Sequence, residues 1–142
     1  MGSTTYEWIL RHEFADKDPS EWKWPYEQPT WVFTSRDLAV VPNAKIEFVR
    51  GDVAPVHARM VEAAGGRNVW VVGGGDLAGQ FADAGLLDEV IVYVAPATLG
   101  GGAPLLPRRV ELRLEETARN GDFVAARYSV MSGTPRTAEG RP

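Results

Sequence analysis

A β-branched and aromatic run, Val69-Trp70-Val71-Val72, drops into glycines at 73, 74 and 75 and then into the helical pattern Asp76-Leu77-Ala78-Gly79-Gln80-Phe81. That pattern predicts a buried strand over residues 68–73 turning sharply into a helix. Glycine has no Cβ, so the turn can adopt strained angles and approach a ligand closely, while the helix start offers N–H groups and the positive end of its dipole. An anion suits such a place, a nucleotide phosphate above all. Packing of the strand against the helix is the competing reason for the glycines.

The two common phosphate fingerprints do not fit. Gly73, Gly75 and Ala78 satisfy G-x-G-x-x-A, but a dinucleotide fold also needs an acid roughly 20 residues on, at the end of the next strand. That strand runs through Val90-Ile91-Val92-Tyr93-Val94, and its acids, Asp88 and Glu89, stand at its beginning. No Gly-Lys-Ser or Gly-Lys-Thr follows the glycines, which removes a P-loop.

A length of 142 residues suits one domain with a core of its own. The formal charge of −4 and a pI near 5.2 argue against nucleic acid and anionic membranes as partners. With no cysteine and only His12 and His57, neither a thiolate nucleophile nor a zinc site is expected. No apolar run approaches the ~20 residues of a membrane span, and no signal peptide opens the chain. A cytoplasmic protein is the expectation.

Along the chain, Ser3 or Thr4 is placed to cap a short first helix, with Glu7 completing a capping box and Tyr6, Ile9 and Leu10 facing inward. Residues 11–29, with Pro19, Pro25, Pro29, Trp22, Trp24 and Tyr26, read as an irregular loop that packs its rings on the body. Thr30 to Thr34 is a strand ending in Ser35-Arg36, hydroxyls and a guanidinium at the strand end where α/β sheets bind ligands. Residues 46–49 form a second strand, and residues 53–64 an amphipathic helix with Val56, Met60 and Val61 inward and His57 as a packing or surface histidine. Gly65-Gly66 stop that helix. A helix over 76–84 closes at Gly85, and residues 88–94 form an apolar strand of the kind buried in a parallel sheet. Residues 110–118 and 123–130 alternate around Asn120-Gly121, a hairpin signal. The order predicts an α/β fold, mostly parallel, with a C-terminal antiparallel hairpin over residues 1–131 and a disordered tail over 132–142.

With these segments placed, the chain resembles the dihydrofolate reductase-like superfamily, and within it the reductase domain of the bifunctional deaminase-reductase of riboflavin synthesis. The resemblance is carried by Gly2-Ser3-Thr4-Thr5, by Phe33-Thr34-Ser35-Arg36, by Val71-Val72-Gly73-Gly74-Gly75, and by Leu87-Asp88-Glu89-Val90 with the loop from Pro96 to Leu106. It runs from residue 1 to about 131, four motifs in order. It implies NADPH as hydride donor. Gly2, Ser3, Thr4 and Thr5 at one helix start and Gly73, Gly74, Gly75, Asp76 and Leu77 at another would embrace the pyrophosphate, with Thr34, Ser35 and Arg36 at the adenosine 2′-phosphate. It also implies a cis Gly73–Gly74 peptide. Ser3 stands where the family often has Arg, which leaves Arg36 to recognise the 2′-phosphate alone.

Family members carry about one further strand and helix ahead of the Gly-x-x-Thr segment, so the chain is expected to be a fragment of a longer protein, with an open slot in its sheet that favours a homodimer. No acid or base is assigned the chemistry; Asp52, Glu62 and Asp83 read as surface charges. The expected function is reduction of a pteridine, pyrimidine or similar small heterocycle by NADPH. The alternative is a non-catalytic nucleotide-binding or scaffold protein of the same fold.

Overall fold

The computed structural model describes residues 1–131, so the tail expected over 132–142 lies outside the described residues. Helix α1 spans Ser3–Phe14, strand β1 Thr30–Phe33, β2 Ile46–Val49, α2 Val53–Ala64, α3 Gly75–Asp83, β3 Glu89–Val94, β4 Leu112–Asn120 and β5 Phe123–Val130. The chain is a mixed α/β fold with a parallel pair of strands and an antiparallel three-stranded sheet. It clusters into two compact units, residues 1–86 and the chain from Leu87 on.

In the first unit β1 and β2 pair in parallel, Thr30 with Ile46 through Phe33 with Val49. On the other edge of β1 a parallel bridge joins Gly2 to Phe33, the Phe33 N–H donating to the Met1 carbonyl at 2.9 Å. The chain leaves this bridge directly into α1, which fixes the helix start beside the C-terminal end of β1. Helix α1 turns Tyr6, Ile9 and Phe14 inward onto Val32 and Val41. Tyr6 is fully buried, its ring 5.4 Å from those of Trp24 and Phe48, and its hydroxyl donates to the Ala39 carbonyl at 2.6 Å. Trp22 stacks on Phe14 at 5.2 Å, so the aromatic loop does pack on the body. Helix α1 runs on to Phe14, past the expected loop start at residue 11, because Phe14 gains burial in that cluster.

Helix α2 matches its expected bounds and buries Val53, Val56 and Met60, whereas Val61 is 49% exposed, one turn position outside the buried stripe. Helix α3 buries Leu77 and Phe81; the Phe81 ring lies 6.0 Å from both Phe33 and His57, so His57 packs on the core. Gly85, at φ 67°, ends α3 with its N–H on the Ala82 carbonyl, and Leu86 N–H returns to Phe81.

The run that opened the sequence reading differs from expectation. Residues 68–73 form no strand, and none of them makes a backbone hydrogen bond to another described residue. Trp70 is 73% exposed. A strand exists only with a neighbour to share its ladder, and this run shares a ladder with no described residue.

In the second unit β3 pairs antiparallel with β5, and β5 with β4, the order being β3-β5-β4. The predicted hairpin is present, with Gly121 at φ 60° in its two-residue loop. Strand β3 is therefore not in a parallel sheet: β5, returning from the hairpin, takes its edge in the antiparallel sense, and Ile91 and Tyr93 stand 56% and 57% exposed on one face. No helix among the described residues is long and apolar enough to cross a membrane.

Candidate functional site

Two helix starts meet at the glycine turn. Gly73 and Gly74 have φ of 64° and 81°, left-handed values that L side chains avoid, and Gly74 caps α3. A Cβ built on Gly73 would stand 2.8 Å from Thr5 Oγ1 and 3.2 Å from Thr5 Cγ2. Thr5 lies in the first turn of α1, so the absence of a side chain at Gly73 is what lets α1 and the turn approach. No described peptide is cis; the two positive φ values alone reverse the chain, which overturns the expected cis Gly73–Gly74 bond.

Each helix start presents a set of N–H groups. The first intrahelical bonds are Tyr6 N–H to Gly2 at 3.1 Å in α1 and Ala78 N–H to Gly74 at 2.9 Å in α3. Ser3, Thr4 and Thr5 on one side, and Gly75 and Leu77 on the other, therefore hold N–H groups that the helical ladders do not use. No side chain caps either start. The capping box expected at Ser3 or Thr4 with Glu7 is absent because Gly2, held in extended conformation by its bridge to Phe33, takes the capping position.

Leu77 is 6% exposed, so only its backbone can face a ligand. Asp76 accepts from Gln80 Nε2 at 2.9 Å, one helical turn on, and its carboxylate complements the helix dipole.

Beside this cradle, at the end of β1, the expected phosphate-binding residues divide. Thr34 is 8% exposed; its Oγ1 accepts from the Arg36 N–H at 2.9 Å and donates to the Arg36 carbonyl at 3.1 Å. Its hydroxyl shapes the turn rather than a pocket. Ser35 and Arg36 are exposed. The Arg36 guanidinium is clamped on Glu7, Nη1 to Oε1 at 3.1 Å and Nη2 to Oε2 at 2.7 Å. This fork-on-fork pairing is the geometry Arg uses for carboxylates and phosphates alike. The sequence alone does not show this pair, since Glu7 sits at a capping-box position and no linear pattern links position 7 with position 36.

The structure thus brings Gly2, Ser3, Thr4, Thr5, Gly73, Gly74 and Gly75 together, with Ser35 and Arg36 next to them through the Gly2–Phe33 bridge. A cleft of about 430 Å³ is lined by Met1, Thr30, Trp31, Met60, Trp70 and Val72 among others, and so runs up to the residues that precede Gly2 and Gly73. The described residues hold no cluster of three His, Asp or Glu side chains suited to a metal.

A model of the family described as "RibD C-terminal domain" matches residues 8–122. The chain is 32% identical over 108 residues to the uncharacterized protein YwjB of Bacillus subtilis, covering 73% of this chain and 61% of that protein. It is 31% identical over 114 residues to the riboflavin biosynthesis protein RibD of Haemophilus influenzae, covering 71% of this chain and 31% of that protein. The chain spans about three fifths of YwjB and under a third of RibD. Among solved structures, a Shewanella sp. PV-4 protein ascribed to riboflavin biosynthesis superposes with a TM-score of 0.68 at 24% identity, over 93% of this chain and 72% of that one. Acinetobacter baumannii RibD superposes with a TM-score of 0.53 at 18% identity, over 74% of this chain and 32% of that one. At these identities the two structures speak for the fold.

Proposed function

We propose that this chain, which belongs to the RibD C-terminal domain family, binds the pyrophosphate of NADPH at its paired helix starts and serves reduction of a small pyrimidine- or pteridine-like heterocycle. The observation that carries the reading is the Gly73–Thr5 approach, a cradle that a Cβ would fill, with two uncapped helix starts facing it. Two positive dipole ends and their N–H groups suit one bridging anion with two charges. On this reading Gly2, Ser3, Thr4 and Thr5 hold one side of the pyrophosphate and Gly73, Gly74, Gly75 and the backbone of Asp76 and Leu77 the other. Ser35 and Arg36 adjoin the adenosine ribose. A bound NADPH supplies the hydride. The chain's part is to orient the cofactor and keep its phosphates paired with donors.

The substrate class rests on the riboflavin-biosynthesis relatives. The exposed Ile91 and Tyr93 of β3 favour a homodimer. A second reading is a nucleotide binder without turnover; on it the Asp76 carboxylate, which accepts from Gln80 Nε2 at 2.9 Å, serves to hold the start of α3.

The test is a thermal-shift and absorbance experiment. Saturation at 100 times the dissociation constant adds about 2.7 kcal/mol, a Tm rise of roughly 5–10 °C for a domain of this size. A rise with NADPH, together with its oxidation in the presence of a pyrimidine or pteridine acceptor, supports the enzyme. A rise without oxidation supports the binder, and an unchanged Tm overturns both.

A further inference from the structure

The cradle fits a pyrophosphate, but the group beside it is already neutralised. Arg36 is the cation expected at a 2′-phosphate, yet both of its terminal nitrogens are held by Glu7, in the same forked pairing that a phosphate would use. The pair is rigid at its base. Thr34 fixes the Arg36 backbone through both N–H and carbonyl, and Glu7 lies one helical turn past the cradle on α1. Dinucleotide sites use an acid to accept from a ribose 2′-hydroxyl and an Arg to take a 2′-phosphate. Here the two stand together.

We infer that Glu7 sets the cofactor's 2′ specificity by competing for Arg36, so that the chain discriminates only weakly between NADPH and NADH. The inference rests on the dinucleotide reading above. A 2′-phosphate must displace the Glu7 carboxylate and remain near its negative charge. A 2′-hydroxyl can donate to the same carboxylate while the ion pair stays closed. Both side chains are partly exposed, 54% and 31%, so the competition costs the dianion a modest factor rather than excluding it.

The experiment measures dissociation constants by calorimetry for NADPH, NADH, 2′,5′-ADP and 5′-ADP with the unaltered chain, with Glu7→Gln, and with Glu7→Gln combined with Arg36→Ala. The unaltered chain is expected to bind NADPH and NADH within about fivefold of each other, the size of an exposed ion pair's worth. Glu7→Gln frees the guanidinium and removes a like charge. It should tighten NADPH and 2′,5′-ADP by about two- to fivefold while leaving NADH and 5′-ADP, which both present a 2′-hydroxyl, unchanged or weaker. Adding Arg36→Ala should cancel the gain. A purely structural Glu7 would move all four ligands together, and that result overturns the inference. Equal ratios in the unaltered chain and Glu7→Gln overturn it as well. If none of the four ligands binds any variant, the dinucleotide reading itself has failed. The melting temperatures of the single and the double variant check that each is folded.

Discussion

Replacing Gly73 by alanine tests the contact on which the cradle depends. Alanine at φ 64° costs about 1–2 kcal/mol in backbone energy alone. Its Cβ would stand 2.8 Å from Thr5 Oγ1 and 3.2 Å from Cγ2, closer than side chains pack, and this overpacking adds about 1–3 kcal/mol. Thr5 belongs to the first turn of a helix whose next residue, Tyr6, is fully buried, so it has little room to retreat. Two further substitutions separate the two costs. Gly74→Ala meets only Leu77 Cβ at 3.6 Å, an ordinary contact, so it should show the backbone cost alone. Thr5→Ala removes both crowded atoms and leaves Thr5 Cβ at 3.6 Å, so Gly73→Ala in that background should also fall to the backbone cost. Equilibrium urea unfolding of the unaltered chain, Gly73→Ala, Thr5→Ala and the double variant gives a coupling energy between positions 5 and 73 of about 1–2 kcal/mol. A Gly73→Ala cost that is the same with and without Thr5→Ala would refute the reasoning, since the helix start and the turn would then not be in contact.

Two other expectations concern stability and backbone protection. Burial raises the Tyr6 phenol above its ordinary value of 10.0, so its contribution is present below that value and is lost as pH rises through the higher folded value. Tyr6→Phe should cost about 1–2 kcal/mol at neutral pH by orphaning the Ala39 carbonyl and should flatten the alkaline limb of the urea midpoint above about pH 10; an equally steep limb in the variant would show that another group titrates there. In hydrogen exchange, amides of residues 69–72 should exchange far faster than those of β5, which is paired on both edges. Comparable protection would mean that the segment has a partner in solution.

What could be read in the sequence is what local chemistry decides. The bounds of α2 follow from its apolar spacing and Gly65, the hairpin follows from alternation around Asn120-Gly121, and the helix after Gly74 follows from the glycines themselves. Residues 68–73 failed because a strand depends on its neighbour as much as on its own β-branched content, and periodicity carries no information about neighbours. The same holds for β3, whose apolar run reads alike in a parallel or an antiparallel sheet. The glycine and Gly-x-x-Thr motifs, both visible in the sequence, come together in the Gly73–Thr5 approach. The Glu7–Arg36 clamp joins positions 29 residues apart and depends on the Gly2–Phe33 bridge bringing α1 beside the end of β1. Thr34 was named for a hydroxyl that the structure uses to hold its own turn.

The seat of α1 also bears on how a ligand would arrive. The helix start is moored through Gly2 to Phe33 and stands on buried Met1, Tyr6 and Val32. Its donors are already pointed before any ligand comes, so association needs no ordering of the backbone and little conformational entropy is lost on binding. The element that must rearrange is a side-chain ion pair at the rim, which reorganises far faster than molecules meet. If the cradle takes an anion as proposed, capture would be a diffusional encounter whose rate responds to ionic strength rather than to a gate.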